Sequence, residues 1–296
     1  MLPVLIVCYL RPKDLETILE KNLSSGRKIY VFIDKCHDKN KTLNEEVITL
    51  AKKYEITHDI KVKISEVNLG VGRAVPVAIN WIAKNENYFI VLEDDCHLNS
   101  EGYKFLDKNF TKLDHEISII CATSPWDIET NSKDLNHNSL SSYPLISGWA
   151  TSSKCWSEIS YLIGDKPPVI STIITVLQRP RKILIICFFL AAHIRVYRGR
   201  SRAWDCSLAL GMLIRSKKAL IPNLTMVTNT GRDEVASHTI REKNQDTIFR
   251  KASTNSPSNL LDESLLFTNK TDKQIEKKLY NLKKRHLLSP FKAYLI

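Results

Sequence analysis

The 296-residue chain is 43% hydrophobic and 25% charged, an ordinary composition for a soluble globular protein, with room for one large α/β domain or two small ones. Its formal charge of +11 admits three kinds of partner: nucleic acid, an anionic membrane surface or an anionic small substrate. The seven cysteines (Cys8, Cys36, Cys96, Cys121, Cys155, Cys187, Cys206) contain no C-x-x-C pair, which argues against a zinc ribbon or a disulfide framework and fits a reducing, cytoplasmic compartment.

Residues 3–8 are apolar and lack the basic n-region and small-residue cleavage site of a signal peptide, so they read as a first strand. Residues 15–23 have amphipathic helical spacing, and 28–33 form a second strand ending at Asp34. Residues 43–54 place Leu43, Val47, Leu50 and Ala51 on one helical face. Residues 60–67 alternate at period two, and 71–84 are helical, with Pro76 expected in the first turn, where a missing N–H does little harm. A fourth strand is predicted over 88–92, a helix over 103–113 and a fifth strand over 117–123. This βαβαβ alternation implies an α/β fold with a mostly parallel sheet and helices on both faces. From 124 to 143 the chain is polar and rich in Asn and Ser, as in an active-site loop or lid. From about 146 onward it is less regular and more helical. The apolar run 182–192, broken by His193 and Arg195, is too short to span a bilayer and predicts a buried or interfacial helix. Residues 243–262 read as loose and 265–288 as a charged terminal helix.

The chemistry gathers at the end of the fourth strand, where the apolar run from Tyr88 to Leu92 leads straight into Glu93, Asp94 and Asp95. Ligands of open α/β sheets collect outside the carboxyl ends of the strands. Adjacent carboxylates repel one another unless a cation sits among them, and their oxygens are the hard ligands that Mg²⁺ or Mn²⁺ takes together with substrate phosphates. Asp34 ends the second strand, where a carboxylate can accept hydrogen bonds from a base or ribose. The loop Asn68-Leu69-Gly70-Val71-Gly72-Arg73 joins two glycines, a helix N-terminus and a cation, a combination that suits phosphate without completing a dinucleotide fingerprint or a P-loop. Gly148-Trp149 offers either a platform for a sugar face or a structural anchor. Asp205, following Trp204 at a helix start, is either an N-cap or a general base aimed into the cleft. His238 is either a metal ligand or a hydrogen-bonding partner of a diphosphate.

In this order and spacing the segments resemble a nucleotide-diphospho-sugar transferase of the Rossmann-like GT-A fold. They are similar to bacterial surface-polysaccharide glycosyltransferases and to the N-acetylglucosaminyltransferase I type. The resemblance covers roughly residues 3–239. It rests on Arg11-Pro12, Asp34, Asn68-Leu69-Gly70 with the helix through Pro76, Ile79 and Trp81, and Leu92-Glu93-Asp94-Asp95-Cys96. Gly148-Trp149-Ala150-Thr151, Trp204-Asp205, Pro222-Asn223-Leu224, Asn229-x-Gly231 and His238-Thr239 complete it. The resemblance implies that Glu93 and Asp94 orient sugar and ribose, that Asp95 holds Mn²⁺ or Mg²⁺ bridging the donor diphosphate, and that Asp34 meets the nucleoside. Asp205 would be the general base of an inverting displacement, and His238 would lie beside the metal or the diphosphate. Asn68, Gly70, Arg73, Gly148 and Trp149 would complete the donor site. The chain departs from the pattern at Lys35-Cys36-His37, Ser152-Ser153 and Arg232, which bears on the identity of donor and acceptor.

On this reading residues 1–123 form the nucleotide-sugar-binding half, 124–241 the acceptor and catalytic half, and 242–296 a C-terminal extension of loop and basic helix. The expected partners are a nucleotide-sugar donor and a glycan or lipid-linked acceptor. No acidic residue occurs between Lys166 and Trp204, and a second basic cluster surrounds Arg285, so peripheral docking on an anionic leaflet at the inner face of the cell membrane stands beside the alternative of a solvated helix face. A sugar nucleotidyltransferase is the rival enzyme reading, although the first strand is not followed by a glycine- and lysine-rich loop. A nucleic-acid-binding protein would carry aromatics interleaved with its basic residues, where this chain has apolar runs, so no nucleic-acid partner is expected. A catalytically inactive binding protein is the remaining alternative.

Overall fold

Side-chain alternation along the first strand sets up the layers. Val4, Ile6 and Cys8 enter one core, Leu5 and Val7 the other, and all are buried because helices cover both faces of the sheet. The structure, a computed structural model, describes residues 1–36, 40–125, 138–163, 182–231, 265–267 and 269–280, together with residues 174, 178 and 290.

In chain order the first half comprises β1 (Val4–Cys8), α1 (Pro12–Ser24), β2 (Ile29–Ile33), α2 (Lys41–Thr57), β3 (Ile60–Ile64), α3 (Val71–Ile82) and β4 (Tyr88–Glu93). There follow β5 (Cys96–Leu98), α4 (Ser100–Asn109), β6 (Ile117–Cys121), β7 (Asn138–Ser141), β8 (Trp149–Ser152) and α5 (Ser153–Ile159). The remainder comprises α6 (Ile183–Tyr197), α7 (Trp204–Ile214), β9 (Lys218–Ile221), β10 (Val227–Asn229), β11 (Leu265–Phe267) and α8 (Asn269–Ile275). Among the described residues, nine strands form one sheet in the order β11-β7-β9-β6-β8-β4-β1-β2-β3, and β5 pairs with β10 in a separate ribbon. Strands β3, β2, β1 and β4 run parallel, as do β6 and β9; β8 and β7 are inserted antiparallel. The expected mostly parallel α/β architecture is therefore present.

One core holds Leu15, Ile18 and Leu19 of α1, Val47 and Ala51 of α2, and Phe105 and Leu106 of α4. The other holds Ala74, Val75, Ala78 and Ile79 of α3, Trp156 of α5, and Trp204, Leu208 and Met212 of α7. A third cluster joins α6, α7 and Ile275 around Tyr143 and Phe189. Truncating a fully buried leucine such as Leu19 to alanine should cost about 2–5 kcal/mol.

Three sequence expectations need correction. Pro76 lies in the second turn of α3 rather than the first, so the hydrogen bond its N–H would have made to the Gly72 carbonyl is missing. The polar stretch 124–143 contains an interior strand, β7, whose Ser139 and Ser141 are buried. Its polarity has a physical cause. Asp272 reaches in from α8 to accept from the Ser141 hydroxyl at 2.9 Å and the Ser142 N–H at 2.8 Å, while Lys182 pairs with its other oxygen at 2.7 Å. Residues 126–137, the middle of the expected lid, lie outside the described residues. The C-terminal segment is not one exposed charged helix: β11 joins the sheet edge, α8 follows, and a π-helical turn at Glu276–Tyr280 packs its Tyr280 ring 5.8 Å from that of Tyr143. Among the described residues no helix is long and apolar enough to cross a membrane, and α6 is the expected partly buried helix.

Candidate active site

Pairing of Cys8 with Ile33 and of Val7 with Glu93 aligns the carboxyl ends of β1, β2 and β4 at one edge of the sheet. The residues that follow these strands, Tyr9, Asp34 and Asp94, wall a cleft of about 230 Å³. Val71, Ala74 and Val75 of α3 form its apolar side, and Arg11, Asn68, Glu93, Asp95, Arg202 and Gly231 complete the polar lining.

Asp34 is buried, and both its oxygens are engaged: one accepts from the Leu69 N–H at 2.8 Å and from Ser65 Oγ at 3.1 Å, the other from the Gly70 N–H at 2.8 Å. Its carboxylate thus shapes the 68–70 loop from within the cleft wall. Gly70 has φ +68°, a left-handed conformation that a side chain would strain. Asn68 donates to the Lys35 carbonyl at 2.7 Å and to the Tyr9 hydroxyl at 3.3 Å, tying this loop to the end of β1.

The acidic triplet is divided by its surroundings. Asp94 is buried, accepts the Tyr9 N–H at 2.9 Å and lies 4.0 Å from the Arg11 guanidinium. Burial nevertheless raises its pKa to about 7, with the Asp95 charge adding to the effect and the Tyr9 N–H and Arg11 opposing it. Glu93 makes no side-chain hydrogen bond or ion pair among the described residues. Burial, then the charges of Asp95, Asp94 and Asp205, raise it to about 8. Asp95 takes a weak hydrogen bond from the Cys96 thiol at 3.2 Å. The β5–β10 ribbon carries Thr230 back so that its N–H donates to the Asp95 carbonyl at 2.9 Å. At the next position a side chain is impossible without movement: a Cβ on Gly231 would lie 1.9 Å from Asp95 Oδ2.

Asp205 opens α7, far along the chain from the triplet, and its charge reaches Glu93. By surface area it is exposed, yet the surrounding protein is dense enough that desolvation pushes its own carboxyl upward. Asp205 itself is not among the residues lining the cleft; from the later part of the chain the lining takes Arg202 and Gly231.

Other expected site residues fall differently. Arg73 is exposed and is not among the residues lining the cleft. Trp149 is 1% exposed and packs 6.2 Å from the Trp156 ring, which in turn lies 6.5 Å from that of Trp204. It is a core anchor in this structure and presents no face to a ligand. Gly148 has φ +69°, and a Cβ there would approach Leu98 at 3.2 Å, so this glycine serves close packing. His238 lies outside the described residues. Arg202 was legible only as one of many basic residues; nothing local in the sequence distinguishes it as a cleft residue.

Among the described residues no three His, Cys, Asp or Glu side chains converge on a metal position, so there is no all-protein cage. The donor chemistry fits a different arrangement. Hard carboxylate oxygens of Asp95 and Glu93, held together against their mutual repulsion, suit a Mg²⁺ or Mn²⁺ whose shell is completed by substrate phosphates and water.

No family model matches the chain, and no curated protein matches it. Among solved structures it is similar to HddC from Yersinia pseudotuberculosis complexed with GMP-PN, at 16% identity and a TM-score of 0.35, over 56% of this chain and 80% of that one. It is likewise similar to a putative glucose-1-phosphate thymidylyltransferase from Bacillus anthracis in complex with a sucrose, at 13% identity and a TM-score of 0.35, over 57% and 77% of the two chains. Likenesses at this level assign no reaction.

Proposed function

We propose that the chain is a divalent-metal-dependent glycosyltransferase. It moves a sugar from a nucleotide-diphospho-sugar to a hydroxyl of a glycan or lipid-linked acceptor in surface-polysaccharide synthesis, with inversion at the anomeric carbon. The observation that carries this reading is the placing of Glu93, Asp94 and Asp95 at the carboxyl end of β4 in one cleft with Asp34, Asn68, Arg11 and Arg202, a lining that offers carboxylates to a metal ion and cations to a diphosphate. Asp205, in the first turn of α7, adds a negative charge that contributes to raising Glu93.

Asp95 and Glu93 would hold the ion. Bound there, Mg²⁺ or Mn²⁺ supplies neutralisation of the charge developing on the leaving diphosphate. Asp34 and Asn68 fix the loop along which the nucleoside lies, and Asp94, anchored by the Tyr9 N–H and Arg11, keeps the strand end rigid beneath the sugar. Asp205, raised by desolvation and therefore a stronger base than an aspartate of ordinary pKa, takes the proton of the attacking hydroxyl. His238 is assigned to the metal or diphosphate on the resemblance alone. The exposed Arg195, Tyr197, Arg198 and Arg200 at the end of α6 suit an anionic leaflet carrying a lipid-linked acceptor.

The first strand is not followed by the glycine- and lysine-rich loop expected of a nucleotidyltransferase, which disfavours the rival enzyme. The test is product analysis. The protein is incubated with a panel of nucleotide-sugars and Mn²⁺, with and without chelator, and separately with nucleoside triphosphates and sugar 1-phosphates. Nucleoside diphosphate released only with metal supports the transferase, and pyrophosphate release overturns it. Full activity of Asp95→Ala would remove the metal assignment.

A further inference from the structure

We propose that Arg202 is the phosphate-gripping residue of this cleft: it binds the diphosphate of the donor and, through its own short loop, sets the position of Asp205. The proposal deepens the functional reading above and rests on it.

Arg202 lies in the connection between α6 and α7, and its backbone sits directly on the first turn of α3. A Cβ at position 72 would be 3.2 Å from the Arg202 carbonyl oxygen and 3.3 Å from its Cα, so glycine at 72 is what permits this approach. A Cβ at Gly70 would be 3.9 Å from Arg202 Nε, which puts the guanidinium beside the start of α3. The Arg73 and Ala74 N–H groups of this turn donate to the Gly70 carbonyl, so what the helix start adds to the guanidinium charge is the positive end of its dipole.

Among the described residues, four carboxylates and two guanidiniums line the cleft. Asp34 is satisfied by the Leu69 and Gly70 N–H groups, and Asp94 by the Tyr9 N–H with Arg11 alongside. Arg11 is divided between Asp94 and Asp14, and its side chain is only 9% exposed. Among the described residues, Glu93 makes no side-chain hydrogen bond or ion pair, and Asp95 takes only the weak Cys96 thiol bond. Arg202, beside the start of α3, makes no side-chain hydrogen bond or ion pair among the described residues. Available carboxylates and an available guanidinium in one cleft match a ligand that brings both a metal ion and phosphate oxygens. A guanidinium is the side chain best shaped for the latter, because its fork meets two oxygens at once. Two residues on, Trp204 is 3% exposed and packed against Trp156, which pins the loop, and Asp205 follows at once. Clamp and base are thus carried by one anchored turn.

The test is equilibrium binding of five nucleoside diphosphates (UDP, GDP, CDP, ADP and dTDP) and the corresponding nucleosides, with Mn²⁺, to the full chain and to Arg202→Ala and Arg202→Lys. Arg202→Ala should weaken the preferred diphosphate about ten- to a hundredfold, the size of a lost charge-assisted bidentate contact, and leave the nucleoside within about twofold. Arg202→Lys should recover part of the loss, since it keeps the charge without the fork. Thermal melts of both variants should match the wild type, Arg202 being exposed. Diphosphate binding unchanged in Arg202→Ala overturns the clamp while leaving the transferase reading standing. A wild-type protein that binds none of the five diphosphates overturns that reading and the clamp together.

Discussion

Replacing Glu93 by glutamine tests the electrostatics of the cleft without reference to any substrate. Glu93 is raised from the ordinary glutamate value of ~4.3 to about 8, first by burial and then by the charges of Asp95, Asp94 and Asp205. The folded chain therefore binds this proton more tightly than the unfolded chain, so stability is greatest at low pH and declines as pH rises from about 4.3 to about 8, then levels off. One pH unit within that window is worth about 1.36 kcal/mol per group. Between pH 5.5 and pH 9 the wild type should lose about 3 kcal/mol that Glu93→Gln does not, because glutamine has no proton to release. Urea unfolding of both proteins at the two pH values, in chelator, measures the difference directly. Mn²⁺ added at pH 9 should restore wild-type stability more than at pH 5.5, where protons compete for the same oxygens. Parallel pH dependence in the two proteins would refute the reasoning, since Glu93 would then ionise as readily folded as unfolded.

Other outcomes follow from the same geometry. Asp205→Asn should lower kcat by about 10²–10⁴-fold, the range for loss of a general base, while donor affinity measured by titration stays near wild type. Gly231→Ala forces a methyl group against Asp95 Oδ2, so the Mn²⁺-induced rise in Tm should shrink or vanish; an undiminished rise would place the ion elsewhere. Trp149→Ala should cost about 3–5 kcal/mol in urea unfolding, with unchanged nucleotide affinity in the folded fraction, as expected of a core residue rather than a sugar platform.

The first half of the fold was legible because its signals are local. Strands β1, β2 and β4 are short apolar runs, and the helices between them carry one apolar face each, so alternation alone implied a parallel sheet. The triplet was legible for the same reason: a carboxylate cluster immediately after a buried strand stands out whatever its tertiary context. Strand β7 was not legible. Its serines resemble loop residues until Asp272 and Lys182, distant in sequence, arrive to satisfy them. Trp149 and Arg73 show the opposite failure. Residue type suggested a ligand contact, but whether a tryptophan lies in a core or on a cleft, and which way an arginine on a helix's first turn points, depends on which helix packs above it.

The sequence by itself determined the α/β architecture and the strand end at which charge would collect, because periodicity and adjacency are properties of neighbouring residues. Only the tertiary structure decided which carboxylates are spent on backbone N–H groups, which remain open to a ligand, and that Arg202 joins them. Those outcomes depend on the pairing of β1 with β2 and β4 and on the packing of the α6–α7 connection against Gly72, contacts between residues too far apart in the chain for any local pattern to encode.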